Sequence, residues 1–162
     1  MLETSPPELR TEFFAKFEIR ADSIHDIGAT QFGTRRFFIV KGGQFEGPNF
    51  SGVVVGGCDP LLQCQDGTEQ IFVNLLLRTH DGVNVHMRYG GIKVCTPEVQ
   101  ERIQQRDVTL RIEDYYFRTS IYFEAGDPRY RWLNRTLAIG IWRPMRFPDG
   151  NAGSFYWVYR VL

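Results

Sequence analysis

The sequence predicts an all-β fold: a small closed antiparallel β-barrel of about eight to ten strands, with one peripheral helix and one short plug helix. Three observations predict it. Apolar residues recur at every second position in most segments rich in β-formers, as half-buried strands require. Glycine pairs and Asp-Gly turns punctuate those segments at short intervals. Aromatic residues make up 14% of the chain, with 13 Phe, 7 Tyr and 3 Trp, material for a core and for the walls of an apolar pocket.

The elements follow in order. Residues 1–11 read as a flexible lead, and 12–162 as one barrel domain, since 162 residues sustain a single core. In residues 12–21 the apolar set Phe13, Ala15, Phe17, Ile19 and Ala21 alternates, which marks a strand. Residues 34–40 form a second strand, ended by Gly42-Gly43. Gly47-Pro48 turns the chain into a third, residues 51–55, which closes at Gly56-Gly57. Asp66-Gly67 and Asp81-Gly82 are hairpin signals, and residues 71–79 and 83–89 pair as antiparallel neighbours across the second. Thr96-Pro97-Glu98 starts the substantial helix, with Thr96 as N-cap, which runs to about residue 105. Residues 115–123 are strand and 128–133 a short helical turn. Residues 136–142 and 155–161 complete the sheet around Pro148-Asp149-Gly150. Closure removes exposed edges, and about eight strands enclose one small ligand. An immunoglobulin-type sandwich would carry a Cys…Trp…Cys pattern, which is absent.

Composition excludes several functions. Net charge is zero, from 19 basic and 19 acidic residues, without the basic excess of a nucleic-acid binder. Three cysteines and three scattered histidines predict neither a disulfide scaffold nor a metal site. No phosphate-cradling loop or GxSxG nucleophile occurs, so no cofactor is expected. No apolar run spans a bilayer and no signal-type h-region is seen, so the expectation is a cytoplasmic protein without a membrane partner.

Period 2 places Asn74, Leu76 and Arg78 on one strand face, and Asn84, His86 and Arg88 on one face of the next. Tyr116, Arg118, Ser120, Tyr122 and Glu124 share a face of a third. These polar rows fit either a solvated outer surface or a polar patch on a cavity wall, and the pattern leaves both open. On the second placement His86 is a general acid or base near neutral pH, with Arg118 and Asp59 as catalytic companions. Asn74, Arg78 and Arg88 would then contact the substrate, against walls of Tyr116, Trp132, Trp142 and Trp157.

The densest stretch, residues 115–135 (YYFRTSIYFEAGDPRYRWLNR), resembles the hallmark of the DUF3237 family, also called UPF0311. There a YFRT strand leads to a GDPRYxWLNR segment. Gly33-Thr34-Arg35-Arg36, Gly42-Gly43 with Phe45-Glu46-Gly47-Pro48, and Gly56-Gly57 with Asp59 match in order. Arg78-Thr79 with Asp81-Gly82, and Tyr159-Arg160-Val161, match as well. The resemblance covers roughly residues 12–162 and implies a compact β-barrel, but no particular activity. In physical terms Asp127-Pro128 caps the short helix, Trp132 and Leu133 plug one barrel end, and Asn134 ties down backbone groups. The chain departs from the family pattern at Cys58, at Pro60 and at Tyr89-Gly90-Gly91. These positions lie near the expected cavity mouth and imply a ligand unlike that of typical members.

Two functions remain. One is a cofactor-independent isomerase or cyclase acting on a hydrophobic aromatic or polyketide-like biosynthetic intermediate, favoured by the changed rim residues. The other is a non-catalytic binding or carrier barrel for a lipid-like or aromatic ligand, gripped by arginine. The partner in both is a hydrophobic small molecule, and a homodimer is compatible with either.

Overall fold

Among the described residues, eight strands pair in a closed antiparallel ring. The computed structural model describes residues 5–162, so the first four residues of the expected lead lie outside the described residues. The strands are β1 (Thr11–Thr30), β2 (Gly33–Glu46), β3 (Gly52–Asp59), β4 (Leu62–Gln63), β5 (Glu69–Thr79), β6 (Asn84–Val94), β7 (Tyr116–Glu124), β8 (Leu137–Arg146) and β9 (Ala152–Val161). Helix α1 (Pro97–Gln104) follows β6, and a 3₁₀ helix, Pro128–Arg135, follows β7. Pairing runs β1-β2-β3-β5-β6-β7-β8-β9 and returns to β1. The two-residue β4 bridges β2 and β5 outside that ring. No helix among the described residues is long and apolar enough to cross a membrane.

Two local expectations are corrected. Gly42-Gly43 does not end the second strand, which continues to Glu46 against β1. Gly43 has φ 147°, and a Cβ there would overlap the Glu18 carbonyl, so glycine lets two long strands bend together without parting. Phe13 also leaves the apolar row. The β1–β9 register shifts between Phe13 and Ala15, which turns Phe13 outward at 43% exposure and buries Phe14 and Ala15 together.

The shifted Phe14 joins one end of the core. It packs on Phe50, Phe123 and Trp132, while Phe45 stacks on Phe17 and meets Phe50 at 4.5 Å between centroids. The 3₁₀ helix closes this end with the fully buried Leu133. Asp127 caps it by accepting from the Arg129 N–H. Arg129 and Tyr130 both donate to Asp81, at 2.7 and 2.9 Å, which ties the plug to the β5–β6 turn. Asn134 accepts from the Ala125 N–H at 2.7 Å and donates to its carbonyl at 2.9 Å. Asn134→Ala should therefore orphan two backbone groups and cost about 1–3 kcal/mol. An unchanged melting temperature would show that the plug is held by its apolar contacts alone.

Candidate functional site

The barrel closure decides which strand faces look inward. On β5 the inner phase is Glu69, Ile71, Val73, Leu75, Leu77 and Thr79, all buried. On β6 it is Val85, Met87, Tyr89 and Lys93, and on β7 Phe117, Thr119, Ile121 and Phe123. Asn74, Arg78, His86, Arg88, Tyr116 and Arg118 thus face outward, which corrects the cavity-wall placement. A narrow eight-strand interior gains most from burying the apolar rows. The outer residues satisfy one another instead. The His86 ring lies between Glu124 Oε2 at 3.0 Å and Asn74 Oδ1 at 3.1 Å. Arg78 donates to Asn84, while Arg88 and Arg118 lie over the rings of Tyr122 and Tyr116. Trp157 packs edge-on against Phe155 beneath Arg143, and Trp132 belongs to the plug. Of the expected site residues, Asp59 and Trp142 reach the interior cavity.

That cavity occupies the end opposite the plug, under α1, and measures about 330 Å³, within the range of small-molecule sites. Phe38, Val40, Ile71, Val73, Phe117 and Trp142 form its apolar wall. Its charged wall is built across strands. Glu69 and Lys93 are direct cross-strand partners on β5 and β6 and form an ion pair, at 2% and 6% exposure. Arg36 of β2 reaches the other Glu69 oxygen at 3.0 Å. One buried carboxylate is thereby shared by two cations.

Asp59 stands where the β3–β5 ladder ends. Cys58 is the last β3 residue in register with β5, and the Asp59 carboxylate then accepts the Phe72 N–H at 3.0 Å in place of a backbone carbonyl. Burial pushes its pKa up to about 6, and the Glu69 charge adds to the rise. The Phe72 N–H and Arg35 pull the other way without cancelling it. The buried phenols of Tyr89 and Tyr156 meet edge to face at 5.5 Å. Burial first pushes both above the usual tyrosine range; Tyr156, to which Tyr89 donates, adds next for Tyr89, and the Asp59 charge adds to both, so they remain protonated. A carboxyl that titrates near neutrality thus lies beside two protonated phenols.

Arg106 completes the lining from the end of α1. Its N–H bonds the Ile103 carbonyl and the next N–H, of Asp107, bonds that of Arg102, both at 3.0 Å. This is a Schellman closure, whose turning residue is usually glycine. Arg106 adopts φ 56°, which costs a non-glycine residue about 1–2 kcal/mol. Its Nη1 donates to the Gly153 carbonyl at 3.3 Å. Among the described residues no cluster of three His, Cys, Asp or Glu is placed to hold a metal ion.

Asp59 and Trp142 are the lining residues expected from the sequence; Glu69, Lys93, Arg36, Tyr89, Tyr156 and Arg106 are not among the expected ones. A signal existed for two of them. Glu69 lies in phase with Ile71 and Val73, and Lys93 with Tyr89 and Met87, so each is a charge on its strand's apolar face.

Fold and site together define a plugged β-barrel with a half-open cavity of ligand size, lined on one side by a carboxyl–phenol group. The chain belongs to the DUF3237 family: the model described as "Protein of unknown function (DUF3237)" matches residues 7–161. A UPF0311 protein from Rhodopseudomonas palustris is 27% identical over 135 residues, 83% of this chain and 88% of that protein. Its crystal structure matches with a TM-score of 0.83, covering 97% of this chain and all of that one. A β-barrel-like protein from Acinetobacter baumannii matches with a TM-score of 0.79 at 29% identity, over 99% and 100% of the two chains. The hydroalkoxylation enzyme phnH from Penicillium herquei is 26% identical over 136 residues, 84% of this chain and 74% of that enzyme.

Proposed function

We propose that this protein is a cofactor-independent isomerase or cyclase that closes a ring in a hydrophobic aromatic or polyketide-like biosynthetic intermediate. The observation that carries the reading is Asp59, an enclosed carboxyl with a pKa of about 6 beside two phenols held in their protonated form. A base of that strength is largely ionised at neutral pH and still returns its proton readily. The similarity to a hydroalkoxylation enzyme supports the same chemistry, the addition of an O–H across a carbon–carbon double bond.

In the proposed step Asp59 takes the proton of a substrate hydroxyl, and the oxygen bonds to the far carbon of a conjugated double bond. The electron pair moves onto the substrate carbonyl oxygen, where Tyr156, itself accepting from Tyr89, donates a hydrogen bond to the growing charge. Asp59 then returns its proton to the neighbouring carbon. The product is an isomer of the substrate, with no net oxidation or reduction. The apolar wall contributes by folding the chain so that the reacting atoms meet.

The test uses 2′-hydroxychalcone, a phenolic enone that closes to flavanone without change of formula, with chiral chromatography of the product. Acceleration together with an excess of one enantiomer is the expected result. Binding of this and related phenolic enones with neither acceleration nor enantiomeric excess would leave the carrier reading in its place.

A further inference from the structure

We infer that the molecule held in this cavity is an aromatic oxyanion, a carboxylate or phenolate, whose charged group docks on Arg106 at the cavity mouth. The inference rests on the cavity being the ligand site proposed above and names the class of ligand that it selects.

The charges lining the cavity do not balance. Arg36, Lys93 and Arg106 face it from three elements, against the carboxyls of Asp59 and Glu69. Glu69 is already shared by Arg36 and Lys93, and Asp59 spends one oxygen on the Phe72 N–H. Arg106 is left without a carboxylate partner among the described residues, its one bond being to the Gly153 carbonyl. A guanidinium has five N–H donors in a planar fork that fits an oxyanion with two parallel bonds. A neutral ligand would leave most of that fork unused in a half-enclosed place, and an anionic one would fill it.

The backbone points the same way. Position 106 is the turning residue of a helix end, where glycine is the residue of least strain, yet an arginine occupies it with φ 56°. That turn directs the side chain over the mouth, toward Gly153 and the Tyr156 side of the cavity. Neighbouring groups keep the mouth positive. Arg146 donates to the Gln105 carbonyl beside it, while the nearby acids Asp107 and Asp149 are engaged by Arg102 and Arg20. Behind the mouth, Phe38, Phe117 and Trp142 offer flat apolar surface, so a ring system carries the oxyanion inward.

The strained helix end makes a clean test possible, because Arg106→Gly removes the charge while relieving the backbone. Binding of 2-naphthoate and of its neutral counterpart 2-naphthamide would be measured by calorimetry, alongside melting temperature. The wild-type protein should bind naphthoate about tenfold or more tighter than naphthamide. Arg106→Gly should bring that ratio close to one with an equal or higher melting temperature, and Arg106→Lys should retain part of it. A wild-type ratio near one, or an undiminished ratio in Arg106→Gly, overturns the inference and leaves the cyclase reading standing. Binding of neither probe overturns it together with the ligand cavity. A preserved preference without turnover of phenolic enones supports the inference and removes the cyclase reading alone.

Discussion

Asp59→Asn is expected to lower turnover of the phenolic enone probe by roughly 10²–10⁴-fold without weakening the fold. Asparagine keeps the shape and the oxygen that accepts the Phe72 N–H, but it takes up no proton. The folded-state pKa of about 6 lies above the ordinary value of 3.8, so the native state binds this proton more tightly than the unfolded chain does. The carboxyl therefore lowers stability as pH rises from about 4 to 6, and the loss persists above that window. At pH 8 the neutral variant should consequently be more stable than wild type by about 1–2 kcal/mol, after discounting for partial solvation. Below pH 4 the two should converge. Wild-type turnover should rise through pH 6 as the basic form appears, and the variant should lack that limb. Burial sets that limb first; the Phe72 N–H and the Arg35 charge pull it down, and the Glu69 charge pushes it up. A flat rate profile in the wild type, or full activity in the variant at pH 8, would remove Asp59 from the chemistry.

Local rules carried the reading furthest where a turn or a cap controls the chain. Asp81-Gly82 delivered the β5–β6 hairpin, and Thr96 caps α1 by accepting from the Val99 N–H, as its place before Pro97 requires. The GDPRY stretch forms the plug because Asp127, Arg129 and Tyr130 find partners a few residues away or on one neighbouring turn. What escaped was sidedness. Period 2 sorts His86, Arg88 and Arg118 onto one face of their strands, but only closure of the ring determines that this face is outside. The Gly42-Gly43 pair misled for a related reason: the same dipeptide ends a strand or bends it, and the long-range β1 partner decides which. Arg106 was invisible because the direction of its side chain depends on a left-handed turn that no neighbouring glycine announces. Glu69 and Lys93 were legible in principle. A charge on each apolar phase of two adjacent strands is costly unless the two meet, and the register makes them meet.

That pair carries the largest expected effect on stability. Glu69→Ala leaves Lys93 buried without its counter-charge, and breaking a buried pair in this way costs about 3–5 kcal/mol. For a domain of this size that is a fall in melting temperature of roughly 10 °C. The double variant Glu69→Leu/Lys93→Met should recover most of the loss, since apolar residues of similar size often replace a buried pair without penalty. Arg36, with 28% of its side chain exposed, can turn its charge to water. Recovery of stability would show that the pair is not retained for the fold. Its effect on the cavity then tests whether Glu69 tunes Asp59. The Glu69 charge is one of the causes that raise the Asp59 pKa, so the stable double variant should move the rising limb of the pH–rate profile below pH 6. An unmoved limb would mean that burial alone sets Asp59, and that Glu69 serves only to neutralise Lys93 and Arg36.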